Sequence, residues 1–304
     1  MSARPFDCLI VGAGPAGLTA ALYLARFRRN VMLVDAGQSR AELIPTTHNY
    51  PGFPQGISGI DLLRRLREQM SQYPVLSRKG RVEGLSRGTC FTARIGSNSV
   101  SATTVLLATG VVDRQHKLAA PADLRNGTLA GQIRWCPICD GYEVLDRNVG
   151  LIGTTASAPG HALFLRTYTS RVTLMLAADE APLPPAKLAC LQAADIKILE
   201  QAPVRIELAK SHKVAIHFAG KVQSTFDTIY PMLGSQPQSG LATDMGARCD
   251  ELGELIVDEH QQTSVPGLYA AGDLVRALNQ MSVGMAHAAI AATAIHNRLA
   301  HNPR

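Results

Sequence analysis

A glycine-rich turn near the start of the chain limits its possible folds more than any other feature. The motif Gly12-x-Gly14-x-x-Gly17 follows an apolar run, Phe6 to Val11, and opens apolar residues at helical spacing from Leu18 to Phe27. In such a turn the first glycine permits the sharp bend and the second lets the main chain approach a pyrophosphate. The third lets helix and strand pack closely. The glycine pattern alone is weak evidence for nucleotide binding, so the residues around it must be considered as well.

The residues after this turn complete the pattern of a nucleotide-binding unit. A second apolar strand, Val31 to Val34, ends at Asp35, whose carboxylate can accept a hydrogen bond from a ribose hydroxyl. The order strand, glycine turn, helix, strand and acid is typical of a dinucleotide-binding βαβ unit, in which the helix N-terminus faces the phosphates. We therefore expect an α/β fold that binds a dinucleotide.

A second motif predicts redox chemistry. Cys136-Pro137-Ile138-Cys139 is the only Cys-x-x-Cys of the chain, and Asp140 follows it. Two thiols at this spacing on the first turn of a helix can close a disulfide or attack one, because a helix N-terminus stabilises a thiolate. The alternative is half of a zinc site, which needs a second Cys or His pair at ligand spacing. The remaining cysteines are too scattered to supply that pair: Cys8, Cys90, Cys190 and Cys249. We therefore expect no metal.

Size and charge exclude several classes of protein. The chain has 304 residues, enough for two domains, and its 46% hydrophobic and 18% charged residues indicate a globular protein with a sizeable core. No apolar run approaches the length of a membrane span. Scattered cysteines favour a reducing, cytoplasmic location. The net charge of +6 favours acidic partners, but the charges are dispersed and lack the interleaved aromatic residues that would indicate nucleic-acid binding.

Other segments predict further elements. Residues 60–70 have helical spacing, and residues 75–100 alternate in a way that suggests antiparallel strands. Residues 105–110 predict a buried strand that ends in a tight turn, and residues 268–273 predict another that leads into Ala271-Gly272-Asp273. An Ala-rich stretch, 283–299, predicts a long C-terminal helix.

These motifs together resemble those of the low-molecular-weight thioredoxin reductases, in the same order and spacing across almost the whole chain. The resemblance implies an α/β fold of two Rossmann-like, three-layer ββα nucleotide-binding domains, the second inserted in the first. The FAD-binding domain would comprise residues 1–113 and 245–304. The inserted domain, 114–244, would carry the cysteine pair. The motifs are Gly12-x-Gly14-x-x-Gly17, Asn49-Tyr50-Pro51-Gly52, Ala108-Thr109-Gly110, Cys136-x-x-Cys139-Asp140 and Ala271-Gly272-Asp273.

The resemblance also implies roles for individual residues. Cys139 would lie nearer the flavin, Cys136 would exchange with the substrate, and Asp140 would act as general acid–base. His287 is similar to a histidine of a subgroup that includes dithiol oxidases and pyridine-nucleotide-independent thioredoxin reductases. It is a catalytic candidate, the alternative being a core residue. FAD contacts are implied for Gly12, Gly14, Pro15, Ala16, Gly17, Asp35, Asn49, Thr109, Gly110, Gly272, Asp273, Gln280 and Met281.

The second nucleotide site of the family, which holds NADPH, lacks one of its glycines here. Residues 149–152 predict its strand and residues 162–168 its helix. The family pattern between them is G-x-G-x-x-A, and its second glycine position is Thr155. A β-branched side chain therefore stands where a bare main chain should meet the pyrophosphate.

The same site lacks its phosphate-binding arginines. The family has His-Arg-Arg at the positions of Leu176, Ala177 and Ala178, and two acids, Asp179 and Glu180, follow in this chain. Acids there would repel a 2′-phosphate by like charge. We hypothesise that the protein does not use NADPH. The alternative is an altered NAD(P)H site.

Several possibilities for electron flow stay open. A donor such as ferredoxin could reduce FAD, with thioredoxin or another disulfide as acceptor. A substrate dithiol could instead reduce the protein, with oxygen as final acceptor. A third possibility is a flavin redox sensor without turnover, which would not need Asp140 beside the pair. The resemblance implies a homodimer, and we expect no nucleic-acid or membrane partner.

Overall fold

The computed structural model describes residues 4–114, 118–209 and 211–303. In these ranges the chain forms strands β1 to β16 and helices α1 to α8, with short 3₁₀ turns at Arg40–Leu43, Tyr142–Val144 and Ala219–Lys221. The strands are β1 Phe6–Val11, β2 Val31–Asp35, β3 Val75–Lys79, β4 Gly84–Arg87, β5 Phe91–Ile95, β6 Asn98–Leu107, β7 Val111–Asp113, β8 Val149–Gly153, β9 Val172–Leu176, β10 Lys197–Leu199, β11 Arg205–Leu208, β12 Val214–His217, β13 Gln223–Phe226, β14 Thr228–Met232, β15 Ser235–Pro237 and β16 Leu268–Ala270. The helices are α1 Pro15–Arg26, α2 Gly59–Ser71, α3 Pro121–Leu129, α4 Pro137–Asp140, α5 Ala158–Leu165, α6 Pro185–Ala193, α7 Gly240–Thr243 and α8 Met281–Arg298.

The chain divides into two compact units. The first comprises residues 1–42, 59–112 and 236–304, and the second comprises residues 43–58 and 113–235. We predicted domains of 1–113 with 245–304 and of 114–244, and these boundaries stay a prediction about the folding domains. In the compact units the chain returns to the first unit between residues 235 and 236. Residues 43–58 belong to the unit that contains the cysteine pair.

The first unit is built on one mixed sheet in which β6 is the central strand. One edge of β6 pairs with β1 in parallel, and β2 and β3 continue the sheet on that side. Its other edge is shared, since the first half pairs with β5 antiparallel and the second half with β16 in parallel. A parallel Rossmann-like sheet and an antiparallel β4–β5–β6 meander therefore share one long strand.

One prediction for this sheet was wrong in part. We expected all strands of residues 75–100 to be antiparallel, but β3 pairs with β2 in parallel, from Val31 opposite Val75 to Asp35 opposite Lys79. The reason is that α2 carries the chain back between β2 and β3, which places β3 in a crossover unit. Alternation of apolar residues marks a strand but not its direction. The antiparallel prediction is confirmed for β4 and β5.

Two helices of the first unit pack closely around its glycines. Helix α1 begins at Pro15, within the glycine turn, and the C-terminal helix α8 buries Gly284, Ala288 and Ala291. A Cβ added at Gly284 would lie 3.1 Å from the Cα of Gly272. Small residues therefore let α8 approach the Ala271-Gly272-Asp273 turn.

The second unit contains a smaller parallel sheet in the order β10-β9-β8-β14 and an antiparallel sheet β11-β12-β13. Its core includes fully buried Val149, Leu151 and Leu174. The predicted helix at residues 162–168 was misplaced, because α5 begins at Ala158 and ends at Leu165. The Ala158 N–H bonds the Thr154 carbonyl at 2.9 Å, so the helix starts within the turn itself. Pro159 fits this first turn, where a missing N–H costs nothing.

No helix within the described ranges is long and apolar enough to cross a membrane.

Candidate active site

The cysteine pair occupies a single helical turn. The sulfurs of Cys136 and Cys139 are joined in a disulfide, with their Cα atoms 5.2 Å apart. Cys136 is the N-cap of α4, and its Sγ accepts a hydrogen bond from the Cys139 N–H at 3.1 Å. Pro137 fits the first helical position because its ring fixes φ there. A main-chain donor aimed at Cys136 Sγ would stabilise a thiolate on that sulfur.

Asp140, the residue after the pair, is held at both of its carboxylate oxygens. Arg134 donates from Nη1 to Oδ2 at 3.0 Å, and the Tyr230 hydroxyl donates to Oδ1 at 2.9 Å. Burial raises the pKa of Asp140 above its usual value, and the opposing effects of Arg134 and Tyr230 do not cancel that rise. Such a carboxyl keeps its proton to a higher pH than an exposed aspartate does.

Trp135 contributes to packing beside the pair. Its indole donates to the Thr128 hydroxyl at 2.9 Å, and its ring packs against the core that contains Leu124 and Ile133. The hydrogen bond satisfies the polar end of a half-buried ring. This anchors the segment that leads into Cys136.

The first glycine turn leaves no room for a side chain at its first and third glycines. Gly12 has φ of +102°, and a Cβ there would lie 2.4 Å from the Ala108 carbonyl oxygen. A Cβ at Gly17 would lie 1.8 Å from the Gly12 carbonyl oxygen. Glycine is therefore required for the backbone conformation at the first position and for the contact of helix and turn at the other.

The turn brings the predicted dinucleotide contacts together. Gly14 is the N-cap of α1, with Pro15 and Ala16 in its first turn, and Asp35 Oδ1 accepts a hydrogen bond from the Ala13 N–H at 3.1 Å. This bond ties the end of β2 to the turn. Since glycine has no side chain to cap α1, the helix N-terminus offers its main-chain donors to an anion.

Thr109 and Gly110 lie at a second turn of the same unit. The Thr109 hydroxyl donates to the Gln238 carbonyl at 2.7 Å, and the Gly110 carbonyl accepts from the Gln238 N–H at 2.9 Å. Gly110 has φ of +64°. The threonine hydroxyl is therefore engaged in holding the turn, so its main chain is the part that could meet a ligand.

The other FAD motif lies where β16 ends. Gly272 has φ of +90°, and a Cβ there would lie 3.2 Å from the Ala16 Cβ, so this turn sits against the start of α1. Asp273 forms an ion pair with Arg40 at 3.7 Å. The two glycine motifs therefore converge within the first unit, as a dinucleotide-binding cradle requires.

The start of α8 offers further donors. Helix α8 begins at Met281, and the side chain of its N-cap, Gln280, does not cap it. His287 has a buried Nδ1 that finds no hydrogen-bond partner in the described part of the chain. Burial lowers the pKa of His287, with Asp273 opposing, so its imidazole is mainly neutral at pH 7. An unpartnered buried nitrogen is expected to meet a ligand group.

Asn49 belongs to the second compact unit. Its side-chain amide contacts the Ile138 carbonyl at 3.4 Å, between the two cysteines, and its Oδ1 accepts from the Thr47 hydroxyl at 2.9 Å. The structure therefore ties Asn49 to the redox helix, and its contact with FAD stays a prediction.

The second glycine turn, residues 153–158, is occupied by the chain itself. The Thr155 N–H donates to the carboxylate of Glu180 at 2.6 Å, and the Thr155 hydroxyl donates to the Ala181 carbonyl at 2.5 Å. Lys187 Nζ donates to the carbonyls of Thr155 and Ala156, at 3.0 and 3.2 Å. A carboxylate of the protein thus takes the main-chain donor that would otherwise face a phosphate.

Two arginines that follow this turn in the sequence, Arg166 and Arg171, also have internal partners. Arg166 donates to the carbonyls of Ala194 and Thr169 at 2.6 and 2.8 Å. Arg171 donates to the Asp146 carbonyl. Each guanidinium is thus engaged by main-chain carbonyls.

A metal centre is not found in residues 4–114, 118–209 and 211–303, which contain no group of three or more His, Cys, Asp or Glu arranged around a common point.

Sequence reasoning missed three contributions to these sites. Arg134 and Tyr230 contact Asp140, and Glu180 bonds Thr155. Arg134 is two residues before Cys136, which was a usable signal, because a cation there can reach a carboxylate near the pair. Tyr230 lies 90 residues from Asp140 along the chain, and no motif links them.

Comparison with known proteins agrees with this arrangement. Residues 6–293 match the family model described as pyridine nucleotide-disulphide oxidoreductase. A thioredoxin reductase of Treponema pallidum is 28% identical over 307 residues, which cover 95% of each protein. The crystal structure of thioredoxin reductase from Streptococcus pyogenes MGAS5005 is 26% identical, with a TM-score of 0.88 over 97% of this chain and 98% of that one. The crystal structure of HlmI is 30% identical, with a TM-score of 0.86 over 96% and 92%.

These matches span almost the full length of both chains and confirm the predicted α/β class with two Rossmann-like units. The paired cysteines and the glycine cradle both lie within the matched residues. The chain therefore belongs to the pyridine nucleotide-disulphide oxidoreductase family, and it is a thioredoxin-reductase-like, FAD-dependent disulfide oxidoreductase.

Proposed function

We propose that this protein exchanges electrons between FAD and a dithiol or disulfide substrate through Cys136 and Cys139, and that it does so without NADPH. The electron donor is a one-electron carrier such as ferredoxin, and the acceptor is thioredoxin or a similar disulfide. The observation that carries the proposal is the hydrogen bond from the Thr155 N–H to Glu180, which fills the second nucleotide turn with a carboxylate of the chain.

The cost of reopening that turn supports the loss of NADPH. A nucleotide would have to break a charge-assisted hydrogen bond, which contributes about 1.5–3 kcal/mol, or roughly ten- to a hundredfold in affinity. The pyrophosphate would then meet the Thr155 side chain where the family has a bare main chain. The 2′-phosphate would find Ala177 and Ala178 in place of arginines. No gain offsets these losses, since Lys187 is already bonded to the carbonyls of the turn.

The first unit supports FAD binding through its cradle. Gly12, Gly14, Pro15, Ala16 and Gly17 would hold the pyrophosphate at the start of α1, and Asp35 would accept from a ribose hydroxyl. When bound, FAD supplies a two-electron acceptor and donor for the sulfurs. The main-chain donors at the start of α8 and His287 would stabilise added negative charge. Further contacts are proposed for Asn49, Thr109, Gly110, Gly272, Asp273, Gln280 and Met281.

The two sulfurs have different proposed tasks. Cys136, whose Sγ accepts the Cys139 N–H, is proposed as the sulfur that exchanges with the substrate. Cys139 is proposed as its partner on the flavin side. Asp140, whose pKa is raised by burial, is proposed as the group that gives a proton to a departing sulfur and later takes it back.

Anaerobic titration tests the proposal directly. NADPH, NADH, reduced ferredoxin and dithiothreitol are added in turn to the oxidised holoenzyme while the flavin absorbance is followed. We expect bleaching by reduced ferredoxin and by the dithiol. Prompt bleaching by NADPH or NADH would refute nucleotide independence and leave the sulfur chemistry intact. Size-exclusion chromatography with light scattering would test the expected homodimer.

A variant separates the sulfur chemistry from cofactor binding. Cys136→Ser is expected to keep FAD bound and to lose dithiol–disulfide turnover, because no thiolate remains to exchange. Cys190→Ser, at an exposed free cysteine, is the matched control and should turn over like the parent protein. Retained turnover in Cys136→Ser would reject the assignment.

A dithiol oxidase is the second candidate, and the unpartnered Nδ1 of His287 favours it. A neutral buried imidazole can accept a proton from a substrate thiol, which the oxidative direction requires. Oxygen consumption with dithiothreitol would support the oxidase, and reduction of insulin with thioredoxin and reduced ferredoxin would support the reductase. The absence of both activities would favour a redox sensor.

A further inference from the structure

We infer that Arg134 and Tyr230 are positioning residues that fix which oxygen of Asp140 carries the proton used in disulfide exchange. The inference rests on the acid–base role proposed for Asp140. It assigns different tasks to the two residues, because Arg134 binds one carboxylate oxygen and Tyr230 binds the other.

The donor chemistry of the two side chains decides where the proton can sit. A guanidinium can only donate, so Oδ2, which accepts from Arg134 at 3.0 Å, is unfavourable as the protonated oxygen. A phenol hydroxyl can donate or accept. Oδ1, which lies 2.9 Å from the Tyr230 hydroxyl, is therefore the oxygen that carries the proton.

Tyr230 can serve both protonation states without moving its ring. Its hydroxyl lies 2.9 Å from Oδ1 and 3.3 Å from the main-chain carbonyl of Asp140. When Asp140 is ionised, the hydroxyl donates to Oδ1. When Asp140 is protonated, Oδ1–H donates to the tyrosine oxygen and the hydroxyl turns to donate to the carbonyl. Only the hydroxyl hydrogen has to rotate.

Burial and the neighbours of Asp140 act on its pKa in opposite directions. The groups that act electrostatically on Asp140 are Arg134, Tyr230 and Glu143; the first two lower its pKa, Glu143 raises it, and burial raises it most. Tyr230 has no exposed surface, and burial raises its own pKa, so it stays a neutral phenol. Arg134 and Asp140 expose 20% and 23% of their side chains, so water can recharge the acid.

The step in which the proton is used is a balanced exchange. A substrate thiolate attacks Cys136 Sγ and forms a mixed disulfide, and the Cys136–Cys139 bond breaks. The bonding electron pair passes to Cys139 Sγ, which takes the proton of Asp140. The second substrate thiol then releases Cys136, so the substrate is oxidised and the pair is reduced to two thiols.

The test measures the pH dependence of this exchange without using the flavin signal. The oxidised holoenzyme is mixed with dithiothreitol, quenched with acid and alkylated, and the labelling of Cys136 and Cys139 is counted by mass spectrometry. Rates are compared as the ratio of variant to parent at each pH, since the titration of dithiothreitol itself then cancels.

Different changes are expected for the two residues. Arg134→Met removes the positive charge beside the carboxylate, so the limb of the profile assigned to Asp140 should move up by about one pH unit. Arg134→Lys keeps the charge and should restore most of that shift. Tyr230→Phe leaves the proton without its acceptor and should lower the maximum rate about tenfold, part of what a positioned acid contributes.

A matched control and a parent variant make the outcomes distinct. The ring of Tyr168 packs against Gly141, the residue after Asp140, and Tyr168→Phe removes a tyrosine hydroxyl there as Tyr230→Phe does at its own position; its profile should be unchanged. A parent-like rate in Asp140→Asn would overturn both the acid role and the inference. A slow Asp140→Asn combined with parent profiles in Arg134→Met and Tyr230→Phe would overturn the inference alone. Tyr230→Phe, which keeps the buried ring, decides the matter if Arg134→Met does not fold.

Discussion

The two glycine turns of this chain have the same place in two similar frameworks, and they differ in whether side chains of the protein bond their main chain. Each follows a buried parallel strand and opens a helix, at residues 12–17 in the first unit and 153–158 in the second. In the first, glycines exclude side chains and the start of α1 has no side-chain cap. In the second, Glu180 and Lys187 bond the main chain of Thr155 on its donor and its acceptor.

The second Rossmann-like framework is held by its apolar core and not by the main-chain donors of its turn. The second sheet keeps a core of fully buried side chains, among them Val149, Leu151 and Leu174, so burial of apolar surface holds the fold. Nucleotide binding needs something else, namely main-chain donors that no side chain of the protein has taken. On the proposal that this turn does not bind NADPH, the fold has outlasted the site that it positioned.

The largest expected effect comes from damaging the first turn. Gly17→Ala would place a Cβ 1.8 Å from the Gly12 carbonyl oxygen. The Gly12 carbonyl belongs to the main chain and cannot swing aside as a side chain would, so the turn must shift, at a cost of about 3 kcal/mol or roughly a hundredfold in FAD affinity. We expect purified protein with little flavin absorbance. The control is Gly160→Ala in α5, where the added Cβ meets nothing within 4 Å and flavin should be retained. A yellow Gly17→Ala protein would contradict this account of the cradle.

A smaller effect is expected from reopening the second turn. The fourfold variant Thr155→Gly, Ala177→Arg, Ala178→Arg and Glu180→Ala removes the Thr155 and Glu180 side chains from the turn and adds the missing cations. We expect NADPH to bleach the flavin at least about tenfold faster than in the parent, with NADPH favoured over NADH because arginine pairs with a 2′-phosphate.

A partial variant separates the two causes. Thr155→Gly with Glu180→Ala alone should bind NADH and NADPH equally, since no arginine reads the 2′ position. If neither variant binds a nucleotide by calorimetry, then these side chains are not what closes the site.

The parts of the fold that were predictable have short-range causes. Strand β1 begins and ends where expected, because it is an apolar run bounded by turn or polar residues. The starts of α1 and α5 were expected too late along the chain. Apolar periodicity marks the middle of a helix, whereas the main-chain bonds of the preceding turn set where it begins. The direction of β3 depends on the crossover through α2, which alternation does not reveal.

The candidate site was predictable in its motifs and not in its partners. The cysteine pair, the glycines and Asp35 follow from spacing, because each belongs to a contiguous motif. The contact of Tyr230 with Asp140 joins residues 90 positions apart, and only the packing of β14 brings them together. The sequence predicts that Glu180 repels a phosphate. The structure adds that its carboxylate already accepts from the Thr155 N–H, the main-chain donor that a phosphate would use.

The smallest expected effect isolates that carboxylate. Glu180→Gln keeps an oxygen that can accept from the Thr155 N–H and removes only the charge, so it should destabilise the protein by about 1 kcal/mol in urea unfolding. Asp179→Asn is the matched control, because it makes the same chemical change at an exposed neighbour whose φ of +63° suits asparagine equally well. It should change stability by less than about 0.5 kcal/mol. Equal effects in the two variants would mean that Glu180 acts as one more surface charge, and the contrast between the two turns would then rest on Thr155 alone.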